Sequence, residues 1–109
     1  MKSFLLHMTE ADRWPAALSN LNNMIEQNRA DQIIVVINGT AIYVLQGDND
    51  WTQAMKKAAD HGTAFVVCER SIRNHKIARE SLPTWCGTVP AAIPAIGELT
   101  QQGLAYIKP

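Results

Sequence analysis

A chain of 109 residues with ten Lys and Arg against ten Asp and Glu is sized for a single domain, 1–109, and carries no net charge. That balance leaves no broad positive field, which argues against nucleic acid or an anionic membrane as partner. Apolar residues at 47% supply a core without disulfides or metal; charged residues at 18% are too few to cover an exposed monomer, so burial against copies of itself is expected.

Ser3–His7 (S-F-L-L-H) reads as the first strand, its near-continuous apolar character suiting a strand covered on both faces. The strand-like run to Met8 is too short for a signal-peptide core or a membrane span. A cytoplasmic location is therefore expected, with Cys68 and Cys86 as reduced thiols. Asp12 is positioned to cap a following helix that tolerates Pro15 in its first turn. Trp14, Ala17, Leu18, Leu21, Met24 and Ile25 recur at helical spacing, a stripe best read as a helix packed on a sheet.

Gln32–Ile37 (Q-I-I-V-V-I) is the clearest strand, short, β-branched and apolar. Asn38-Gly39 ends it as a hairpin turn or as a strand-to-helix turn. Over Thr40–Gln46 the apolar residues fit a helix or a strand, and a short helix is preferred. Asp50 is placed to cap a helix over Trp51–Asp60 that turns Met55, Ala58 and Ala59 inward and closes at His61-Gly62.

Thr63–Val67 is the third strand, running directly into Cys68. Ser71–Leu82 reads as an interrupted, polar helix stopped by Pro83, and Thr84–Gly87 as a loop holding Cys86. Thr88-Val89 forms a brief strand. Pro90–Gln102 is the last helix, with Pro94 in its first turn and Ile93, Ile96 and Leu99 on one face. Gly103 caps it and Leu104–Ile107 is the final strand.

Strands alternating with helices predict an α/β fold, a parallel sheet with helices on both faces. Such sheets bind ligands at the carboxyl ends of their strands. Here those ends carry His7, Asn38-Gly39, Cys68 and the Val89-Pro90 junction, which the architecture would gather on one rim.

Cys68 has two readings. As chemistry, it is a thiol delivered by a buried strand to a helix N-terminus, with Arg70 and Arg73 close behind to favour the thiolate and Glu69 opposing them. As filling, it is a small buried hydrophobe. Cys86 is the weaker candidate; a role resolving an oxidised Cys68 requires a spacing that sequence does not define. His7, His61 and His75 lack metal-ligand spacing, so no metal site is expected. His7 stands out because it ends a strand. Arg70, Arg73, Lys76 and Arg79 read as a solvated helix face. Glycine-rich nucleotide motifs, the phosphate loop, G-x-S-x-G and paired carboxylates are all missing from the sequence.

The chain resembles the DsrE/DsrF-like (YchN-like) small sulfur-relay family, its single-domain members in particular. The resemblance rests on D-R-W-P-A-A-L-S-N-L-N-N at Asp12–Asn23, V-V-I-N-G at Val35–Gly39 and H-G-T-A-F-V-V-C-E-R-S-I at His61–Ile72. It extends through V-P-A-A-I-P-A-I-G-E-L-T-Q-Q-G-L-A-Y-I-K-P at Val89–Pro109. It implies a three-layer α/β/α domain with a mainly parallel sheet of about five strands, assembled as a homo-oligomer, a trimer or a hexamer. It also implies a persulfide carried by Cys68 between donor and acceptor proteins, with no cofactor, and with Asn38, Gly39, Glu69 and Ser71 shaping the site. Relatives often carry His at the position of Asn38, so a proton-shuttling role is not carried over to this Asn. Beside this stands a second reading of the same fold, a non-catalytic oligomeric module that binds a small ligand or a partner.

Overall fold

The computed structural model describes residues 2–28 and 30–109; Met1 and Arg29 lie outside it. Among the described residues five strands alternate with four α-helices: β1 (Ser3–Met8), α1 (Trp14–Glu26), β2 (Gln32–Ile37), α2 (Asp50–Asp60), β3 (Ala64–Cys68), α3 (Glu69–Asn74), β4 (Cys86–Val89), α4 (Ala92–Gln101) and β5 (Ala105–Ile107). Short 3-10 segments cover Ala11–Arg13, Gly39–Leu45 and Arg79–Ser81. The sheet has the order β4-β3-β2-β1-β5, and every pairing is parallel.

That order explains the layers. From β1 to β4 the chain steps in one direction, and right-handed crossovers then put α1 and α2 on the same face. The step from β4 to β5 returns across the sheet, so the same handedness puts α4 on the opposite face. The first face is the larger core. Leu6, Met8, Val35, Ile37, Phe65 and Val67 meet Trp14, Leu18 and Leu21 of α1, Met55 and Ala58 of α2, and Ile42 and Leu45. Trp14 satisfies its buried indole by donating to the Ala41 carbonyl at 3.0 Å. On the second face Leu5, Val36 and Cys68 pack with Ala92 and Leu104, while Ile34, Val66, Ile96 and Leu99 are only partly covered.

Helix ends follow cap chemistry. Asn49, not Asp50, caps α2: its Oδ1 accepts from the amides of Trp51 and Thr52, both at 2.9 Å, and Thr52 Oγ1 accepts from the Asn49 amide at 3.0 Å. A cap needs extended backbone just outside the helix; Asn49 has it at φ −145°, whereas Asp50 is already helical. Asp12 likewise caps nothing, because it sits inside the 3-10 turn, and α1 starts at Trp14 with Pro15 in its first turn.

The polar stretch after β3 is helical from Glu69, earlier than expected, and ends at Asn74. Lys76 adopts φ 54°, its amide bonds the Arg73 carbonyl, and the Ile77 amide bonds the Ile72 carbonyl at 3.0 Å. This is a Schellman closure, with Ile72 and Ile77 packed in the same core. Gly62 and Gly103 close α2 and α4 in the same way.

Two further expectations change. Cys86 opens β4 and is not held in a loop. Ile93 is 65% exposed and leaves the face shared by Ile96 and Leu99, because Ala92 takes the inward position one turn before Ile96.

Candidate functional site at the carboxyl ends of the strands

Alternation along the strands puts Leu5 and His7 of β1, Val36 of β2 and Cys68 of β3 on the face covered by α4. Continuing the β2–β3 register one residue past the Ile37–Val67 pair brings Asn38 level with Cys68. β5 pairs with β1 so that Tyr106 lies opposite Leu5, and its hydroxyl reaches along the sheet to His7.

Cys68 is the last residue of β3 and the N-cap of α3, 4% exposed. Its side chain closes no capping hydrogen bond with α3, as expected of a neutral thiol, a poor acceptor. The ionised sulfur fares differently. Burial opposes the thiolate, but the backbone amides of Ser71, Ala92 and Arg70 and the Ser71 hydroxyl outweigh it, and the thiol is held below its ordinary value. These donors belong to the beginnings of two separate helices, α3 and α4.

Arg70 therefore contributes its main-chain N–H; its side chain is exposed. The Glu69 carboxylate, read from sequence as opposing the thiolate, is turned to the sheet edge. There it pairs with Arg79 at 3.1 Å and accepts from Thr88 Oγ1 at 3.1 Å. Ser71 is buried, and its Oγ accepts the Gly39 amide at 3.0 Å. Gly39 has φ 62°, and a Cβ there would stand 2.5 Å from the Thr9 carbonyl oxygen, so this turn is closed to other residues. Asn38-Gly39 is thus a strand-to-helix turn, leading into the 3-10 segment.

His7 is 6% exposed. Its Nε2 bonds Asn38 Oδ1 at 2.9 Å and its Nδ1 meets the Tyr106 hydroxyl at 2.7 Å. With the amide oxygen accepting from Nε2–H, Nδ1 is the acceptor for the phenol. Burial lowers the imidazole below its ordinary value, Lys108 adds to that, and Asn38 works against it. The ring is neutral at pH 7, a fixed connector between β5 and the Asn38 turn.

From sequence, the strand ends gathered His7, Asn38-Gly39, Cys68 and the Val89-Pro90 junction on this rim, Arg70 followed from its nearness to Cys68, and Ser71 from the resemblance. Sequence reasoning missed Tyr106 and Ala92. Tyr106 depends on the β1–β5 pairing and Ala92 on the crossover that returns α4 to this face; neither leaves a local signal. Cys86 does not join the site. It pairs with Phe65 on the sheet, packs toward the opposite core, and burial pushes its thiol up to about 12. Among the described residues, no group of three or more His, Cys, Asp or Glu is placed to hold a metal ion. No helix among them is long and apolar enough to cross a membrane.

Fold and rim together define a class: a three-layer α/β/α domain with an all-parallel sheet and a cysteine at the end of its third strand. The chain belongs to the DsrE/DsrF-like family, whose model matches residues 4–109. Comparison with curated proteins finds no match. Among solved structures, it is similar to a protein of unknown function, MTH1491, from Methanobacterium thermoautotrophicum, with 22% identity, a TM-score of 0.91 and 100% of both chains covered. It is also similar to the conserved protein BT1422 of unknown function from Bacteroides thetaiotaomicron: 13% identity, TM-score 0.81, covering 99% of this chain and 95% of that one. The ychN protein of E. coli matches at 8% identity and a TM-score of 0.74, with 99% of each chain covered. At these identities the likeness is one of fold.

Proposed function

We propose that the protein is a sulfur carrier that holds sulfane sulfur as a persulfide on Cys68. The observation that carries this reading is the place of Cys68, at the end of β3, at the N-cap of α3 and packed with Ala92 at the start of α4, where main-chain donors favour the thiolate against the cost of burial. Membership of the DsrE/DsrF-like family supports it.

The transfer has two balanced steps. The Cys68 thiolate attacks the outer sulfur of a donor persulfide; the new S–S bond forms as the old one breaks, and the donor leaves as a thiolate. An acceptor thiolate then attacks the outer sulfur on Cys68, and Cys68 leaves as a thiolate. No net oxidation occurs, and no metal or organic cofactor is needed. The donors around the sulfur act in both steps, stabilising Cys68 as nucleophile and as leaving group. Donor and acceptor are proteins presenting cysteine persulfide and thiol; the two larger clefts, beside Trp85 and beside Cys86, are not lined by Cys68.

Incubation with a persulfide donor followed by intact-mass measurement tests the reading. The expected result is a mass gain of one sulfur atom that is lost in Cys68→Ser. Absence of the adduct, with Cys68 resistant to alkylation, sinks it and favours the second reading. In that reading the same face is a non-catalytic docking surface, which the 4% exposure of Cys68 supports.

We further propose self-association into a trimer or hexamer through the thinly covered α4 face. That face carries partly buried Ile34, Val66 and Ile96, and Ile93, 65% exposed, adds an apolar side chain to the outer surface of α4.

A further inference from the structure

α3 carries Cys68 at its N-cap and turns Ser71 and Ile72 inward, which leaves Arg70 and Arg73 on its outer side. At a spacing of i, i+3 the two are neighbours on one helix face. Lys76 follows in the closing turn, and all three are exposed. Among the described residues none of the three meets a carboxylate. The Glu69 carboxylate is taken by Arg79 at 3.1 Å, and the remaining ion pair, Lys56 with Asp60, lies on α2.

Helix stability accounts for part of this pattern. Arg73 and Lys76 stand at the end of α3 where a cation is favoured. Arg70 stands in the first turn, where helix polarity disfavours a cation, two residues after Cys68. The support under these side chains is fixed. Ile72 packs in the larger core, the Ile77 amide closes on the Ile72 carbonyl at 3.0 Å, and His75 Nδ1 lies 2.8 Å from the Tyr43 hydroxyl. A chain with no net charge thus presents a local cluster of free cations beside its rim thiol.

We propose that Arg70, Arg73 and Lys76 form the docking face for an acidic protein surface, steering it so that its cysteine meets Cys68. The proposal rests on the sulfur-carrier reading for what is exchanged and adds how the partner is chosen. Opposite charge across an interface speeds encounter and rejects like-charged partners, and arginine is among the residues that anchor interfaces.

Three peptides of equal length test this, each with one cysteine activated as a pyridyl disulfide and flanked by Glu, Gln or Lys. The Cys68 thiolate forms a disulfide with the peptide and displaces pyridine-2-thione, whose release gives the rate; peptide mapping assigns the site. At low salt the Glu probe is expected to react about tenfold faster than the Lys probe, and the ratio to fall toward one as salt rises. Taking the ratio divides out the reactivity of the thiol itself. Arg70→Glu, Arg73→Glu and Lys76→Glu should each narrow the ratio, and the triple variant should invert it.

An even ratio in the parent at low salt overturns the proposal, as does a ratio that the triple variant leaves unchanged. Should the triple variant fail to fold, the single variants decide, since each must narrow the ratio. Should Cys68 react with none of the probes, a fluorescein-labelled Glu peptide without cysteine decides. It must bind the parent and lose at least about tenfold in affinity to the charge-reversed variants; absence of binding overturns the proposal. Tighter binding of an oligouridylate of equal charge assigns the face to nucleic acid and overturns it too. An even ratio beside a sulfur adduct on Cys68 leaves the carrier reading standing without this docking face. The expected ratio in a protein that never gains sulfur from a persulfide donor refutes the carrier reading and leaves the docking face intact.

Discussion

Cys68 and Cys86 stand on neighbouring strands and cannot meet. Cys68 pairs with Val89 and Cys86 with Phe65, so the two are three rungs out of step. Their side chains also enter different cores, Cys68 under α4 and Cys86 toward Trp85 and Phe65. A disulfide requires Cα atoms within about 7 Å and converging Cβ vectors. Peroxide treatment of the folded monomer is therefore expected to give no Cys68–Cys86 bond in peptide maps, which removes a redox pair as a reading of this chain.

The same contrast predicts site-selective labelling. Cys86 is raised to about 12 by burial, whereas the donors around Cys68 lower it. At neutral pH a maleimide or iodoacetamide should label Cys68 at least about tenfold faster than Cys86. Denaturation should abolish the difference. Mass-spectrometric peptide quantitation reads both.

Cys68 also links pH to stability. The unfolded thiol ionises near its ordinary 9.0 and the folded one at lower pH. Between those values the unfolded chain binds more protons, so stability rises with pH and is lost again as pH falls through the folded value. Urea unfolding at about pH 6 and about pH 9 should show this gain in the parent and not in Cys68→Ser.

For His7 the window lies lower. Burial depresses the folded imidazole below 6.5. Above 6.5 both states are neutral; below it the unfolded chain takes up the proton first, and stability falls as pH drops toward the folded value. His7→Gln should remove that acid-side slope. Tyr106→Phe, which deletes the phenol donor to Nδ1, should cost about 1 kcal/mol in urea titrations at pH 7.

Ile93 tests self-association. As an isoleucine 65% exposed on α4 it contributes little to the monomer core. Ile93→Glu should change the unfolding free energy of the isolated subunit by less than about 0.5 kcal/mol. It should also lower the mass measured by light scattering to that of one chain. A parent already monomeric across the concentrations at which the protein is studied would sink the oligomer.

Much of the fold was legible because the forces that shape its elements are local. The β-branched run of β2 has the boundaries the residues indicate, Gln32–Ile37, and Gly62 and Gly103 end their helices as C-cap glycines do. Boundaries failed where two local devices competed. Asn49 took the capping role from Asp50 because its extended backbone precedes the helix, and Lys76 ended α3 through a left-handed turn that no glycine announced.

By itself, then, the sequence determined a parallel α/β domain and a thiol at a strand end, since periodicity and cap chemistry act over a few residues. The tertiary structure alone decided what surrounds that thiol. His7 meets Tyr106 across 99 residues, and Gly39 reaches Ser71 across 32. Ala92 arrives beside Cys68 because a right-handed crossover must return α4 to the second face. Register and crossover handedness are properties of the assembled sheet, and they determine which donors stand around the sulfur.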